Sequence, residues 1–425
     1  MKTKHLIIIL LFASNFFSKP IIAQFVIDAE YRPRFEYRNG YKRPPDSTTT
    51  PAMLISQRTR LSFSYNWSFL KTKITAQDVR LWGEEKLKSD NASLGIYEAW
   101  AELRIIDSLS IKIGRQELGY DNQRLFNNNN WNQIGQVHDL LLFKYWKKGW
   151  KADLGAAFNQ NKDTLWGTNY SGTSIKGNYK TLSFLRLSKQ TKYFEIMAIA
   201  IGDGFQKEGT QNTLYVRGTY GGSFRFNSKY VSPFVCGYYQ NGRDVKGTVI
   251  SAYYLNAEVI TKPFQFIKAI VGCEFFSGNN TADTIDKVFR TFVPLYGSNH
   301  SFNGNIDYIT DIPKHTGNSG LIDSYLKLTF ILFEKINLML DYHYFSLLNK
   351  YYTKGKTLSR NFGHEIDFSC KIDFVKEVSL QLGYSAMLGS ETMSSIIGGE
   401  NNKIGQWAWC MLTIKPTLLR YTKGN

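Results

Sequence analysis

IYEAWAELRIIDSLSIKI, residues 96–113, decides the fold. Tyr97, Ala99, Ala101, Leu103 and Ile105 fall on one side of an extended chain, with Glu98, Trp100, Glu102 and Arg104 on the other. Successive side chains of a strand point to opposite faces, so this period of two reads as β-strand. After Ile106-Asp107-Ser108 the alternation resumes, with Leu109, Ile111 and Ile113 opposite Ser110 and Lys112. That is a hairpin with one apolar face and one face too charged for a dry core.

The same unit returns late in the chain. Ile366, Phe368, Cys370, Ile372 and Phe374 alternate with Asp367, Ser369, Lys371 and Asp373. A Val375-Lys376-Glu377 turn leads into Val378, Leu380, Leu382 and Tyr384. Along the chain, tight turns near 68–70, 106–108, 147–149, 189–192, 227–230, 263–265, 334–336 and 375–377 alternate with longer polar loops. Those loops lie near 38–54, 83–93, 119–137, 160–178, 203–211, 240–250, 277–320, 347–361 and 389–403. Nine loops and eight turns separate eighteen strands. An even count with both ends on the short-turn side is the pattern of a bacterial outer-membrane barrel. In lipid a sheet must close to pair every backbone group. The expected fold is therefore an all-β transmembrane antiparallel barrel of about 18 strands, with short periplasmic turns and long extracellular loops. It also accounts for GRQELGYDNQRLFNNNNWNQIGQVHDLLLFKYW (114–146), whose polar middle is too long for a connection in a compact soluble domain. No short fixed repeat supports a β-helix, and a sandwich would not sort its loops by length.

The 425 residues are 43% hydrophobic, 15% aromatic and 20% charged. Mean hydropathy is −0.30, which excludes a bundle of membrane helices. The long apolar run is LIIILLFASNFF, behind Met1-Lys2-Thr3-Lys4-His5 and ahead of SKPIIAQ. This reads as a signal peptide over residues 1–23, cut after Ala23, with a barrel domain over 24–425 and export to the bacterial outer membrane. Cleavage removes Lys2, Lys4 and Lys19, lowering the formal charge of +17 by three to +14. Such an excess points to anionic partners, an anionic polysaccharide or the acidic lipid and lipopolysaccharide around the barrel. No basic run of five or more occurs, which argues against nucleic acid. Cys236, Cys273, Cys370 and Cys410 each sit inside a strand pattern and read as small apolar residues. Residues 416–425, beyond QWAWCMLTIKP, read as a short periplasmic tail, and nothing suggests a trimer interface, so a monomer is expected.

Catalytic and metal signatures are lacking. GHEIDF (363–368) has His-Glu without a second His four residues on, there is no G-x-S-x-G elbow, and no Cys/His spacing suits a metal. His138, His300, His315, His343 and His364 are scattered. The reading is no enzyme, no cofactor and no metal. What remains is the polar strand face, which sends Glu98, Glu102, Arg104, Lys112, Asp367, Lys371 and Asp373 into a lumen wide enough for water. Basic side chains lining a pore select anions.

QDVRLWGE (77–84), GRQEL and YDNQRLF (114–126), NWNQIGQVHDLLLFKY (130–145) and LYGSNHSFNGNIDY (295–308) resemble the alginate export porin family, in its Bacteroidetes-type form. The resemblance runs over nearly all of the mature chain. It implies an 18-strand monomeric pore through which an anionic polyuronate diffuses passively. It also implies lumenal roles for Arg80, Arg115 and Arg124, with a bulge at Gly114 turning Arg115 inward. Asp121 and Asp139 are candidate partners for these arginines. His300 and Asp307 lie in loop 277–320, which could fold into the lumen as a constriction or remain a solvated excursion. The expected function is passive diffusion of an alginate-like polysaccharide; the alternatives are uptake of small anionic solutes or a plugged structural or adhesive barrel.

Overall fold

The computed structural model describes residues 23–423 except 89–92, 169, 171–177, 208, 211–212, 283–286, 299 and 301. Residues 1–22 of the expected signal peptide lie outside that range. The wall begins with β1 (Ala23–Asn39), β2 (Ala52–Trp67), β3 (Leu70–Leu81), β4 (Gly95–Ile106), β5 (Leu109–Gln116) and β6 (His138–Lys147). It continues through β7 (Trp150–Phe158), β8 (Thr181–Gln190), β9 (Phe194–Gln206), β10 (Leu214–Phe226), β11 (Val231–Arg243) and β12 (Val249–Phe264). Then come β13 (Ile267–Phe276), β14 (Leu321–Leu332) and β15 (Ile336–Leu347). A two-residue hairpin, β16 (Tyr352–Thr353) with β17 (Lys356–Thr357), decorates one loop outside the wall. The wall ends with β18 (Asn361–Val375), β19 (Val378–Gly389), β20 (Ile404–Ile414) and β21 (Thr417–Lys423). Helices α1 (Ile312–His315) and α2 (Glu391–Ile397) sit in two of the loops.

Wall strands pair antiparallel with their chain neighbours, and the last segment returns to β1 to close the sheet. β20 pairs with Tyr31–Asn39 and β21 with Ala23–Asp28, so the two are one broken stave and the wall has eighteen. This corrects the expected tail: Thr417–Lys423 is wall strand. Pro416 has no N–H to give the ladder, so the strand breaks there, yet its carbonyl still accepts from Ala29 N at 3.0 Å. Without β21 the first six residues of β1 would be an open edge.

Alternation fixes the two faces. On β1, Glu30, Arg32, Arg34 and Glu36 are buried toward the interior, whereas Tyr31 and Phe35 are exposed on the lipid side. Tyr97 departs from its expected apolar face: it is buried inside, next to buried Glu98. A register shift opposite Thr75 and Ala76 of β3 puts both residues inward. The four cysteines are free thiols.

The hydrophobic core lies inside the barrel, where two loops fold inward. L3 (117–137) contributes Leu118, Leu125 and Phe126, and L7 (277–320) contributes Phe292, Ile306, Tyr308, Ile309 and Ile312. They pack on wall residues such as Leu140, Leu182, Phe184, Tyr254, Phe345 and Trp407. The loops also join each other: Tyr296 N donates to the Leu125 carbonyl at 3.0 Å, and Asn127 N to the Tyr296 carbonyl at 3.1 Å. Fully burying a side chain the size of Phe or Ile stabilises by about 1.5–3 kcal/mol, so L7 is a folded element of the interior and not a solvated excursion.

Candidate functional site

The segment YRPRFEYR (31–38) repeats arginine with a period of two, and QRTR (57–60) does so again one strand later. Period two on paired strands builds one inward row. In register, Arg32 stands opposite Arg58 and Glu30 opposite Arg60. Like charges directly opposite are destabilising, so this wall requires compensation. Part of it is acidic. Glu30 accepts from Arg58 Nε at 2.9 Å and Glu36 from Arg34 Nε at 2.9 Å, while Arg38 Nη2 reaches Glu36 at 2.8 Å. Five guanidiniums thus stand against two carboxylates.

The rest comes from L3, through neutral acceptors. The Asn130 carbonyl accepts from Arg32 Nη1 at 2.8 Å, and the Trp131 carbonyl from Arg34 Nη1 at 3.0 Å. The Asn132 carbonyl accepts from Arg32 Nη2 at 3.1 Å and Arg58 Nη1 at 3.2 Å. The Gln133 side-chain oxygen takes Arg32 Nε at 3.1 Å, and the Ile134 carbonyl takes Arg60 Nη2 at 3.4 Å. Arg34 also lies 4.7 Å from the Trp131 ring centre, and Arg60 lies 3.6 Å from that of Tyr97. Arg32, Arg34 and Arg58 are buried as a result. Sequence reading missed this row; the R-x-R spacing on consecutive strands was the available signal.

The expected site residues divide into three groups. Glu98, Glu102, Arg104 and Lys112 are on inward rows. Lys73 pairs with Glu98 at 2.5 Å, Lys144 with Glu102 at 3.1 Å, Lys112 caps the Trp100 ring at 3.8 Å, and Arg104 stands opposite Ser110. Beside them a cavity of about 280 Å³ is lined by Arg60, Lys73, Tyr97, Glu98, Glu117 and Lys415, among others.

Arg80 and Arg115 face outward. Arg80 is opposite Gln57 and Asp78 opposite Thr59, on the side where Tyr31 meets lipid, and Arg80 binds Asp78 at 2.7 Å. It lies three residues past inward Gln77, and period two sends it to the other face. Arg115 pairs with Asp139 at 3.0 Å, both exposed. The ladder runs through Gly114 without a register shift, so no bulge turns Arg115 inward.

The third group lies in the inward loops. Arg124 is fully buried, ion-paired with Glu274 and 3.8 Å from the Phe302 ring centre. Asp121 accepts from Arg186 Nε at 3.1 Å. His300 Nδ1 lies 2.7 Å from Asp307, which also accepts from Tyr41 Oη at 2.5 Å. The His300 ring stacks on Trp131 at 4.8 Å, bringing L7 against the tip of L3. Burial pushes the Asp307 carboxyl up, but the His300 charge and the hydrogen bonds from His300 and Tyr41 outweigh it, leaving Asp307 below the ordinary aspartate range.

L7 is held by another arc of the wall, β13 to β18, through the opposite polarity. Glu365 accepts the Ile306 N–H at 2.8 Å. Asn303 Nδ2 donates to Asp323 at 3.0 Å and Glu274 at 3.2 Å.

The sequence profile of the alginate export family matches residues 24–160, which carry the arginine row and all of L3. None of the curated proteins matches the chain. Among solved structures, Pseudomonas aeruginosa OccK9 (OpdG) is similar with a TM-score of 0.63 at 9% identity, covering 93% of this chain and 98% of that one. Acinetobacter baumannii OccAB1 is similar with a TM-score of 0.61 at 10% identity over 93% and 97%. Pseudomonas aeruginosa OpdK, solved with vanillate, has a TM-score of 0.59 at 10% identity over 94% and 99%. At these identities the likeness is one of fold. The alginate export profile thus matches the first third of the chain, and the eighteen-stave wall as a whole shares its fold with solved outer-membrane proteins such as OpdK.

Proposed function

We propose that this chain is a passive outer-membrane porin for carboxylated solutes, working as a monomer amid acidic lipid and lipopolysaccharide. The observation that carries the reading is the inward row of five guanidiniums facing two carboxylates. Guanidinium–carboxylate hydrogen bonds are charge-assisted and can be bidentate, so such a row lowers the cost of dehydrating an anion inside the barrel. Glu30, Glu36, Glu98 and Glu102 keep the cations extended and limit how tightly an anion is held. A passive pore has no direction of its own; the gradient supplies it. The family match supports an alginate-like polyuronate as the solute. A second reading, passage of small carboxylates, is favoured by L3 and L7, which fill much of the lumen with packed side chains. The fold likeness to OpdK, solved with the carboxylate vanillate, supports it equally. The family and the fold neighbours support a channel rather than an enzyme.

Planar-bilayer recording tests this. Under a salt gradient the reversal potential is expected to show anion preference, and oligomannuronate is expected to block the current. A block by small carboxylates without one by the oligomer would select the second reading. A cation-preferring or non-conducting barrel would sink both.

A further inference from the structure

Resting on the porin reading above, we infer that residues 130–134 of L3 are a tongue occupying the carboxylate positions of the arginine wall, displaced by the solute itself. Asn130, Trp131 and Asn132 present consecutive backbone carbonyls to Arg32, Arg34 and Arg58. Each places a neutral oxygen where a carboxylate oxygen would bind. A carboxylate adds full charge–charge attraction and can engage a guanidinium bidentately, which a single backbone carbonyl cannot, so an anion entering the row outcompetes the tongue.

The chain is divided to permit this. The base of L3, Arg124 to Asn127, is buried in the core. In the tongue Asn130, Asn132 and Ile134 are exposed, and Gln133 is the residue packed against the wall. Its ends are marked by two left-handed residues, Asn129 at φ 48° and Gly135 at φ 78°. A side chain at Gly135 would meet Tyr97 Oη at 2.6 Å and Arg60 Nη2 at 2.9 Å, so the tongue turns tightly against the wall it covers. Trp131, between Arg34 and His300, is the counterweight that returns the tongue when the anion leaves. The described residues of L7 are arranged otherwise: their apolar side chains are core, and the wall beneath them carries Glu365, Asp323 and Glu274.

Gln133 Nε2 donates to Ser56 Oγ at 3.0 Å, which gives a place to tie the tongue down. The test is Ser56→Cys/Gln133→Cys joined by a short, cleavable bis-thiol linker, with Cys236, Cys273, Cys370 and Cys410 each replaced by Ala. Oligomannuronate block is measured in planar bilayers before and after cleavage, with a neutral mannose oligomer as control. The expected result is a block at least tenfold weaker in the bridged protein, recovered on cleavage. Equal block in the two states overturns the tongue and leaves the porin intact. A second measurement uses the unaltered protein: amides 130–134 are expected to exchange faster with oligomannuronate present while Ile306 stays protected. Unchanged exchange at 130–134 in a protein that the oligomer blocks also overturns it. A cleaved and unaltered pore without anion preference or block removes the porin reading and the tongue together.

Discussion

L3 and L7 both fold into the barrel, but different arcs of the wall hold them by opposite groups. L3 offers carbonyl oxygens to Arg32, Arg34 and Arg58, and L7 offers the Ile306 N–H and the Asn303 amide to Glu365, Asp323 and Glu274. Beneath L7, Phe292, Ile306 and Ile312 are fully buried, whereas the L3 tip rests mainly on polar bonds. The same charges therefore do different work on the two sides. A cationic wall satisfied by neutral oxygens remains open to competition from an anion. An acidic wall sealed by apolar packing does not. The loops meet at Arg124, on L3 in sequence yet paired with Glu274 of the L7 wall.

That junction should give the largest effect. Arg124→Ala leaves the Glu274 carboxylate buried without its cation, and breaking a buried pair costs about 3–5 kcal/mol. The urea midpoint of the refolded barrel is expected to fall accordingly, with Arg124→Ala/Glu274→Ala recovering part of the loss. A fall no larger than that of a surface substitution would dissolve the distinction between core and rim in L3.

Next is the arginine wall itself. Arg58→Ala removes donors to Asn130 and Asn132 and leaves Glu30 to Lys415 and Arg32, at a cost of about 1–3 kcal/mol. Exchange should quicken at 130–134 and not at 303–308, and the reversal potential should move toward cation preference. Loosening of both loops alike would mean that they form one unit.

Acid should distinguish the loops in the other sense. Because the folded-state value of Asp307 is depressed, its stabilisation of L7 is present above the unfolded aspartate value and is lost as pH falls through the folded value. Exchange near 300–308 is expected to rise only below the ordinary aspartate range, about pH 3.9. Asp307→Asn should flatten that dependence; a profile unaltered by the substitution would show that another group carries it.

The smallest effect is a control outside both loops. Ser390 caps α2, accepting from Met393 N at 3.2 Å, and Ser390→Ala should cost about 1 kcal/mol. Thermal unfolding should register it while reversal potential and block stay unchanged.

Much of the wall was legible in the sequence, since period two and the alternation of loop lengths are local properties of the chain. The inward placement of Glu98, Glu102, Arg104 and Lys112 follows from that period alone. Arg80 and Arg115 were misplaced where a family motif was followed in preference to parity from Gln77 and across Gly114. Tyr97 was misplaced because a β-bulge is a property of two strands, and β3 cannot be read from β4. Pro416 looked like an end, although one missing N–H only interrupts a ladder that β1 goes on to complete.

By itself the sequence determined a closed wall of eighteen staves and an excess of positive charge, because strand alternation and composition need no distant partner. The contents of the lumen were decided by tertiary structure. Arg32 is separated from Gln133 by 101 residues and Arg124 from Glu274 by 150, and no local pattern encodes such meetings. An asparagine-rich loop reads as solvent-loving until the barrel surrounds it with guanidiniums, whose need for acceptors draws its carbonyls inward.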